Sequence, residues 1–592
     1  MIFIESAKRH YVAIIIALFV GIVAVFPTVF FRFSLGDAWR GIDLFYNDNE
    51  EFYLARMQEI KDGHPLIGSI SYYEYKNNLP ALPPTAETVY VFLGRILGLS
   101  LPDVMILTKF LFPALLFLLV YNLVRNMTEE PNSPITVLYG VAAGLLVVLG
   151  YDLVDYQRLY NIIRGNSGVG GMVIWTRPVN PIFGALALFS FLNALWHVMI
   201  KHNKSAVILA GIALAFMFSS YFFSWGAGMS VFFWLVAYGL YKKDITTVKN
   251  LAKVLGLGLL ISSPYWYLVI RARFSPDFSD SADRYGLIFS HNPLMNYVLL
   301  LGVVISAVAI FMYFRNTNKN DRRYGWIYFS GALLLGGLLA LNQQIITGMT
   351  IWPFHFVQYT TPFFYIVMVV ILYHVVRPKA KTLANVVAVI IIIISVSFAI
   401  YTGAVGNKER DPEFRDRQKF ADIYNWLNQN TPRDSVIFVK DNVRMLERLI
   451  PAYTHNNVYV SGPENAMAPY ERFYHNYLIY LRMKGVSSDG IKEYLAANQR
   501  EASSFLHVSL MVDARSNNAF PEVRDYVLEK SLASLPEDYE VFLSKDLLTE
   551  FKKYKLDYIL SYRPLDSKLL AELRDPALAF EQHDFYIYDL SH

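Results

Sequence analysis

Long apolar stretches broken by short charged ones set the pattern of this chain. Eleven apolar runs fall near 11–31, 103–124, 135–152, 180–200, 205–223, 225–241, 253–271, 294–314, 326–342, 357–376 and 383–404. A helix of roughly 20 apolar residues crosses the hydrocarbon core of a bilayer, so each run predicts a transmembrane helix. The first follows Lys8 and Arg9, and no small-residue cleavage site comes after it, so it reads as a signal anchor that stays in the chain. Two polar segments are too large to be connectors, 32–102 and Gly406 to His592. The second predicts a helix over Phe414–Gln429, a turn at Thr431-Pro432-Arg433-Asp434, and strands at Ser435–Val439, Val458–Val460, Tyr558–Ser561 and Phe585–Tyr588. The expected fold is therefore a polytopic α-helical membrane protein of about 11 transmembrane helices. Residues 1–404 would form the membrane domain, and 405–592 a C-terminal extracytoplasmic domain of mixed α/β type.

Charge sets the orientation. With the N-terminus in the cytoplasm, the inside loops carry Lys8/Arg9, Arg125, Lys201/Lys204, Lys242/Lys243/Lys249, Arg315/Lys319/Arg322/Arg323 and Arg377/Lys379/Lys381. All are basic, as cytoplasmic loops of membrane proteins are. Two spans meet at Ser224–Trp225 with almost no turn. Composition agrees with the membrane class: 54% of residues are apolar, 17% are charged and mean hydropathy is +0.32. Soluble domains carry about 25% charge. A net charge of +4 is too small to suggest nucleic acid, and the absence of cysteine leaves no disulfide or thiolate metal site.

Candidate chemistry centres on the first polar segment, at Asn47-Asp48-Asn49-Glu50-Glu51-Phe52-Tyr53-Leu54-Ala55-Arg56. Asp48 is a good helix N-cap, Glu51 completes a capping box, and Gly63-His64-Pro65 ends the helix. A carboxylate at this place can also take the proton of an attacking hydroxyl. Asp48 and Glu50 could alternatively share a divalent cation, Mg or Mn, through their oxygens. Both readings stand at this point. With a first span, a long outer loop opening on an acidic motif, many further spans and an outer C-terminal domain, the chain resembles the GT-C superfamily of integral-membrane glycosyltransferases. The Asp-x-Glu-Glu-Phe-Tyr-Leu-Ala-Arg core is similar to the first-loop motif of the oligosaccharyltransferase-like branch, with Asp48 on its leading acidic position. The Trp-Trp-Asp-Tyr-Gly motif of oligosaccharyltransferases is absent, so their peptide acceptor does not carry over.

Trp175-Thr176-Arg177-Pro178-Val179-Asn180-Pro181 opens the fourth run, where oligosaccharyltransferases have an arginine followed by a second acidic motif. Arg177 matches the arginine, and Asn180 stands where the acid is expected, which weakens the case for a tightly held metal. Arg177 also reads as an interfacial, snorkelling side chain. Arg271 and Arg273 end the seventh run against the charge trend and suit a lipid phosphate or a headgroup anchor. Gln344 and His355 flank the start of the tenth run and suit the donor's phosphate or sugar, or plain packing. In the C-terminal part, Pro463-Glu464-Asn465 and Tyr470-Glu471-Arg472 are polar stretches that suit an acceptor or an ordinary loop.

The resemblance implies sugar transfer from a polyprenyl-phosphate-linked donor at the outer face of the plasma membrane. Asp48 would be catalytic, and Glu50, Glu51, Arg177, Asn180, Arg271, Arg273, Gln344 and His355 would bind substrate. The partners are a lipid-linked donor, membrane lipid and an acceptor whose identity stays open, whether glycan, lipid or protein. The alternative is a non-enzymatic transporter or an accessory subunit of glycan or lipid assembly. Transporters place ionisable groups at mid-membrane, whereas the acids here gather in loops. A reporter fused after His592 is expected to be active only in its exported form, and cytoplasmic activity would invert the topology.

Overall fold

The fold is taken from a computed structural model that describes residues 2–45, 49–128, 133–164, 173–285, 287–317, 324–440, 443–461, 466–506, 532–582 and 584–591. Its helices to residue 201 are α1 (Ile2–Leu35), α2 (Asn49–Asp62), α3 (Thr85–Leu97), α4 (Leu101–Met127), α5 (Pro134–Val148), α6 (Tyr156–Ile163) and α7 (Ile182–Lys201). There follow α8 (Lys204–Phe218), α9 (Phe222–Tyr241), α10 (Ile245–Ile261), α11 (Ser263–Arg273), α12 (Phe278–Tyr285), α13 (Tyr297–Asn316), α14 (Gly325–Leu341) and α15 (Gln344–Thr347). The last ones needed below are α16 (Val357–Ile371), α17 (Lys381–Arg417), α18 (Ala421–Asn430), α19 (Val443–Tyr453) and α20 (Tyr470–Met483).

Every apolar run lies on helix. Among the described residues, seven helices are long and apolar enough to cross a membrane, and eight if the bent pair α10–α11 is one span. The chain is a multi-pass membrane protein. The runs at α5, α8 and α14 make helices of 15, 15 and 17 residues. At 1.5 Å per residue these are shorter than the hydrocarbon core. The α8–α9 join falls at Ser219–Tyr221, earlier than Ser224–Trp225. There the Ser219 and Ser220 hydroxyls donate to the carbonyls of Ala215 and Met217, at 3.0 and 3.4 Å. The seventh run is broken by a 64° bend. Pro264 lacks the N–H that would continue the ladder, and the Ser262 hydroxyl donates to the Gly258 carbonyl at 2.8 Å.

The boundary expected at 404 lies inside α17, which continues unbroken to Arg417. Beyond it lies a five-stranded sheet in the order β4-β3-β5-β7-β6, with β3 (Val436–Val439), β4 (Asn457–Val458), β5 (Tyr558–Ser561), β6 (Ala577–Gln582) and β7 (Phe585–Asp589). The pairs β3–β4 and β3–β5 are parallel, and β5–β7 and β6–β7 antiparallel. A two-residue ribbon, β1 (Ile288–Phe289) with β2 (Met349–Thr350), sits elsewhere. Strand alternation divides β3 between two cores: Ile437 and Val439 join the core that continues into the helix bundle, and Val436 and Phe438 join a separate one. The expected strand positions are met, and β6, whose residues are mostly exposed, is an addition.

The first polar segment is fastened on both sides. Its helix α2 buries Glu50, Glu51, Arg56 and Glu59. Lys109 of α4 meets Glu50 at 2.6 Å, Arg417 at the end of α17 meets Glu51, Glu87 of α3 meets Arg56 at 2.5 Å, and Lys76 meets Glu59 at 3.1 Å. Lys76 also pairs with Asp434 beside the sheet and donates to Asn457 at 3.2 Å. Further along, Tyr72 is buried with its hydroxyl donating to the Ser461 carbonyl at 3.0 Å and the Arg472 guanidinium 4.3 Å from its ring.

One member of this set titrates in an accessible range. Burial pushes the Glu59 carboxyl up from 4.5 to about 8, with Lys76 opposing and Asp434 and Asp62 adding to the rise. The folded state thus holds a proton that the unfolded chain releases. Stability from this group is full below the unfolded value and is lost as pH rises through about 8. The thermal midpoint of the purified protein should therefore fall between about pH 5 and about pH 9, and Glu59→Gln should flatten that fall. An unchanged slope in the variant would assign the fall to other groups.

Candidate functional site

Three segments remote in sequence meet at the end of the bundle that carries α2. The segment 173–181 is held rigidly: the Trp175 indole donates to the Val147 carbonyl at 2.8 Å, the Val179 amide to the Tyr90 hydroxyl at 3.1 Å, and the Tyr359 hydroxyl to the Pro181 carbonyl at 3.1 Å. Gly184 lets α7 pass here, since a Cβ would stand 2.6 Å from the Tyr359 hydroxyl. This fastening presents Arg177, half-buried, to α2, with its guanidinium 5.7 Å from the Tyr53 ring.

The third segment brings His355. A one-turn 3-10 helix, Pro353–Phe356, leads into α16 and sets the imidazole between Phe223 and Trp352, at 5.0 and 5.6 Å between ring centres. Its Nδ1 lies 3.2 Å from the Tyr221 hydroxyl in a hydrogen bond. Tyr221 also packs on Tyr359, at 6.1 Å. Burial pushes the Tyr221 hydroxyl well above its ordinary pKa, Tyr53 adds to the rise, and Arg177 opposes it. Arg177 and His355, 178 positions apart, share a wall of tyrosines, with the hydroxyl of Tyr221 kept protonated.

The other expected residues are distributed differently. Asp48 lies outside the described residues; α2, which it precedes in sequence, starts at Asn49. Glu50 and Glu51 occupy the first turn of α2 and are drawn to Lys109 and Arg417. Asn180, half-buried, keeps its place beside Pro181. Gln344 is buried and donates to the Asn292 carbonyl at 3.0 Å, bracing the segment after β1. Arg271 and Arg273 are exposed on α11, against Tyr267 and Phe278 at 5.9 and 4.5 Å.

Among the described residues no three His, Asp or Glu side chains gather to hold a metal ion. The Glu50 carboxylate holds an ammonium at 2.6 Å with both partners almost fully buried, so Lys109 already supplies the positive charge a cation would bring there. That part of the expected Asp48–Glu50 pair does not fit a divalent ion.

Tyr53, Tyr221, Tyr359 and Lys109 are participants that sequence reasoning did not single out. A lysine inside an apolar run, as Lys109 is, was the available signal. The tyrosines carried none, because rings at span ends ordinarily serve the membrane interface.

No protein-family model and no curated protein matches the sequence. Solved structures do. The neighbours include an oligosaccharyltransferase. The chain is similar to the archaeal oligosaccharyltransferase AglB from Archaeoglobus fulgidus, in complex with an inhibitory peptide and a dolichol-phosphate, at 13% identity and a TM-score of 0.45, covering 95% of this chain and 70% of that one. The apo form of that organism's oligosaccharyltransferase gives 14% identity and a TM-score of 0.44, over 96% and 71% of the two chains. ArnT from Cupriavidus metallidurans, in the apo state, gives 13% identity and a TM-score of 0.43, over 99% and 98%. At this level of likeness, function is read from the residues of this chain alone.

Lys109 and Glu50 generate a prediction of their own. Breaking a buried ion pair from one side leaves an uncompensated charge, at a cost of about 3–5 kcal/mol. Lys109→Met should therefore lower the thermal midpoint steeply. The double variant with Glu50→Leu should recover most of the loss. A double variant no better than the single one would show that Glu50 and Lys109 do not act as a pair.

Proposed function

We propose that the chain is a membrane glycosyltransferase. It moves a sugar from a polyprenyl-phosphate-linked donor to an acceptor hydroxyl at the outer membrane surface. The observation that carries this reading is the meeting of Tyr53, Arg177, Tyr221 and His355, which ties the helix after Asp48 to a guanidinium and an imidazole. Asp48 stands five positions before Tyr53 in the sequence.

In the reaction the bond from the sugar's anomeric carbon to the donor phosphate breaks, and its electron pair leaves with the phosphate oxygen. A new bond forms from the acceptor atom to the same carbon, and the acceptor's proton passes to the Asp48 carboxylate. Charge then grows on the lipid phosphate. Arg177 would receive it, because a guanidinium matches phosphate with two parallel N–H groups, and the Tyr221 and His355 pair would add hydrogen bonds. Arg271 and Arg273 would meet the lipid headgroup as it approaches, and Asn180 would touch the sugar. Glu50, Glu51 and Gln344 would act through position, by holding α2 and the 290s segment in place.

A cavity supports a lipid substrate. A groove of about 680 Å³ runs between α4, α7 and α8, from Phe183 and Phe216 at the site end to Asn203 and Ser205 at the other. Most of its wall is aliphatic, which suits an isoprenoid or acyl chain lying along the helices.

The decisive measurement is sugar transfer from a polyprenyl-phosphate donor in membranes holding equal amounts of folded protein. Asn caps a helix about as well as Asp, so Asp48→Asn should leave folding intact. Loss of the base should slow transfer by about 10²–10⁴-fold. Normal transfer by Asp48→Asn would remove Asp48 from the chemistry. Absence of transfer by the unaltered chain with a range of lipid-linked donors would favour an accessory subunit.

A further inference from the structure

Away from the bundle, one cleft gathers chemistry that sugar transfer does not use. It has a volume of about 440 Å³ and lies between α20 and the helix Leu535–Leu543, closed at its base by residues 550–554. One side is aromatic. Tyr470 and Tyr474 sit one turn apart on α20 with rings at 5.9 Å and 32° to each other, and Tyr554 faces them across His475. Successive rings on one helical face make a shallow apolar platform, and both tyrosines remain partly open.

The other side is polar. The Tyr474 hydroxyl donates to Asp538 at 2.7 Å, and that carboxylate is otherwise open at the rim. At the base Glu550 is 97% buried and His475 92% buried. His475 Nδ1 lies 3.7 Å from the Glu550 carboxylate, its Nε2 shares a hydrogen bond of 3.2 Å with Tyr459, and Lys553 meets Glu550 at 2.5 Å. Burial, with Arg472 and Lys553 nearby, holds the imidazole far below its usual range, at about 3. His475 is therefore neutral at any physiological pH and serves as a hydrogen-bonding group rather than a cation.

The balance of charge narrows the ligand. Glu471, Asp538 and Glu550 face Lys545 and Lys553, and Arg472 behind Tyr554 is paired with Glu74, so the two signs are nearly balanced, with no concentration of cations to draw an anion. A free phosphate, a nucleotide or an acidic peptide would meet repulsion from the rim. An aliphatic chain would answer the tyrosine rings but would cover the Asp538 carboxylate and the Lys545 ammonium at the rim without giving either a polar partner. A pyranose ring answers both sides of the cleft. Its axial C–H faces lie on tyrosine rings, and its hydroxyls donate to carboxylates and accept from lysine and tyrosine. The volume suits one to three sugar units.

We propose that this cleft is a binding site for neutral oligosaccharide, with Tyr470 and Tyr474 as the platform and Asp538 and Lys553 as hydroxyl-binding groups. Binding here needs neither donor nor transfer. The site therefore stands or falls apart from the glycosyltransferase reading, and its ligand class is set by its own walls.

The test uses the full chain in phospholipid nanodiscs, free of sugar-based detergent, and saturation-transfer NMR with maltotriose, cellotriose, chitotriose and mannotriose as neutral probes. Tri-galacturonate serves as the acidic control. At least one neutral trisaccharide should receive saturation, with the acidic control weaker. Tyr474→Ala should weaken binding by about tenfold or more, through loss of ring stacking and of its packing area. Because an alanine there could disturb folding, Asp538→Asn provides a second arm. It keeps shape and volume, and it should weaken binding while leaving the thermal midpoint unchanged. Asp48→Asn should bind the sugar as the unaltered chain does. The proposal is overturned if no neutral probe binds at about 10 mM, well above a millimolar dissociation constant. It is equally overturned if the acidic probe binds best, or if Tyr474→Ala and Asp538→Asn, both folded, bind unchanged.

Discussion

Four ionisable side chains on one short helix, each removed from water, constrain most of this structure. Glu50, Glu51 and Arg56 on α2 are stable as charges in the interior only where an opposite charge reaches each of them, and Glu59, which holds its proton up to about pH 8, needs the polar partner that Lys76 gives it. The counter-charges come from four places: α4, the far end of α17, α3 and the loop that contacts the sheet. Burial of such pairs adds little net stability, because desolvation offsets their attraction. What they do contribute is specificity. A slip of α2 by one residue would turn every charge away from its partner and leave several unpaired, so the helix has one acceptable seat.

That seat sets the geometry of the proposed site. Tyr53 lies within the same helix as the four charges, so fixing the helix fixes the ring against which Arg177 rests. Arg177 and Tyr53 act electrostatically on Tyr221, whose hydroxyl is hydrogen-bonded to His355. The polar chemistry is thereby confined to one end of the bundle, and the spans themselves need supply only packing and the groove along α7 and α8.

Much of this was legible in the chain. Apolar runs of bilayer length stand out because nothing else in a sequence looks like them, and all eleven lie on helices. Strands β3, β5 and β7 were readable from β-branched and aromatic residues between turn signals, whereas β6, Ala-Leu-Ala-Phe-Glu-Gln, is no better a strand than a helix until β7 pairs with it. Arg177 and His355 were legible as polar groups at span mouths, but their common wall was not, since it depends on which mouths are neighbours. The acids after Asp48 show the limit most sharply. Glu51 finds Arg417, 366 positions away, and no local pattern announces a partner at that range. Hydropathy ends near 404, while the helix runs on to Arg417, a continuation that hydropathy does not announce.

The continuity of α17 has a mechanical meaning. At 1.5 Å per residue its 37 residues make a rod of about 55 Å, longer than the hydrocarbon core by about 25 Å. Its apolar half is the eleventh run, 383–404, and its last residue grips Glu51 through Arg417. Helices answer bilayer thickness by tilting. A tilt of about ten degrees would swing the tip of such a rod by about 9–10 Å if it pivoted at its far end. The clamp at Glu51 opposes that swing, so the thickness of the surrounding lipid acts as a torque on the helix that begins the first loop.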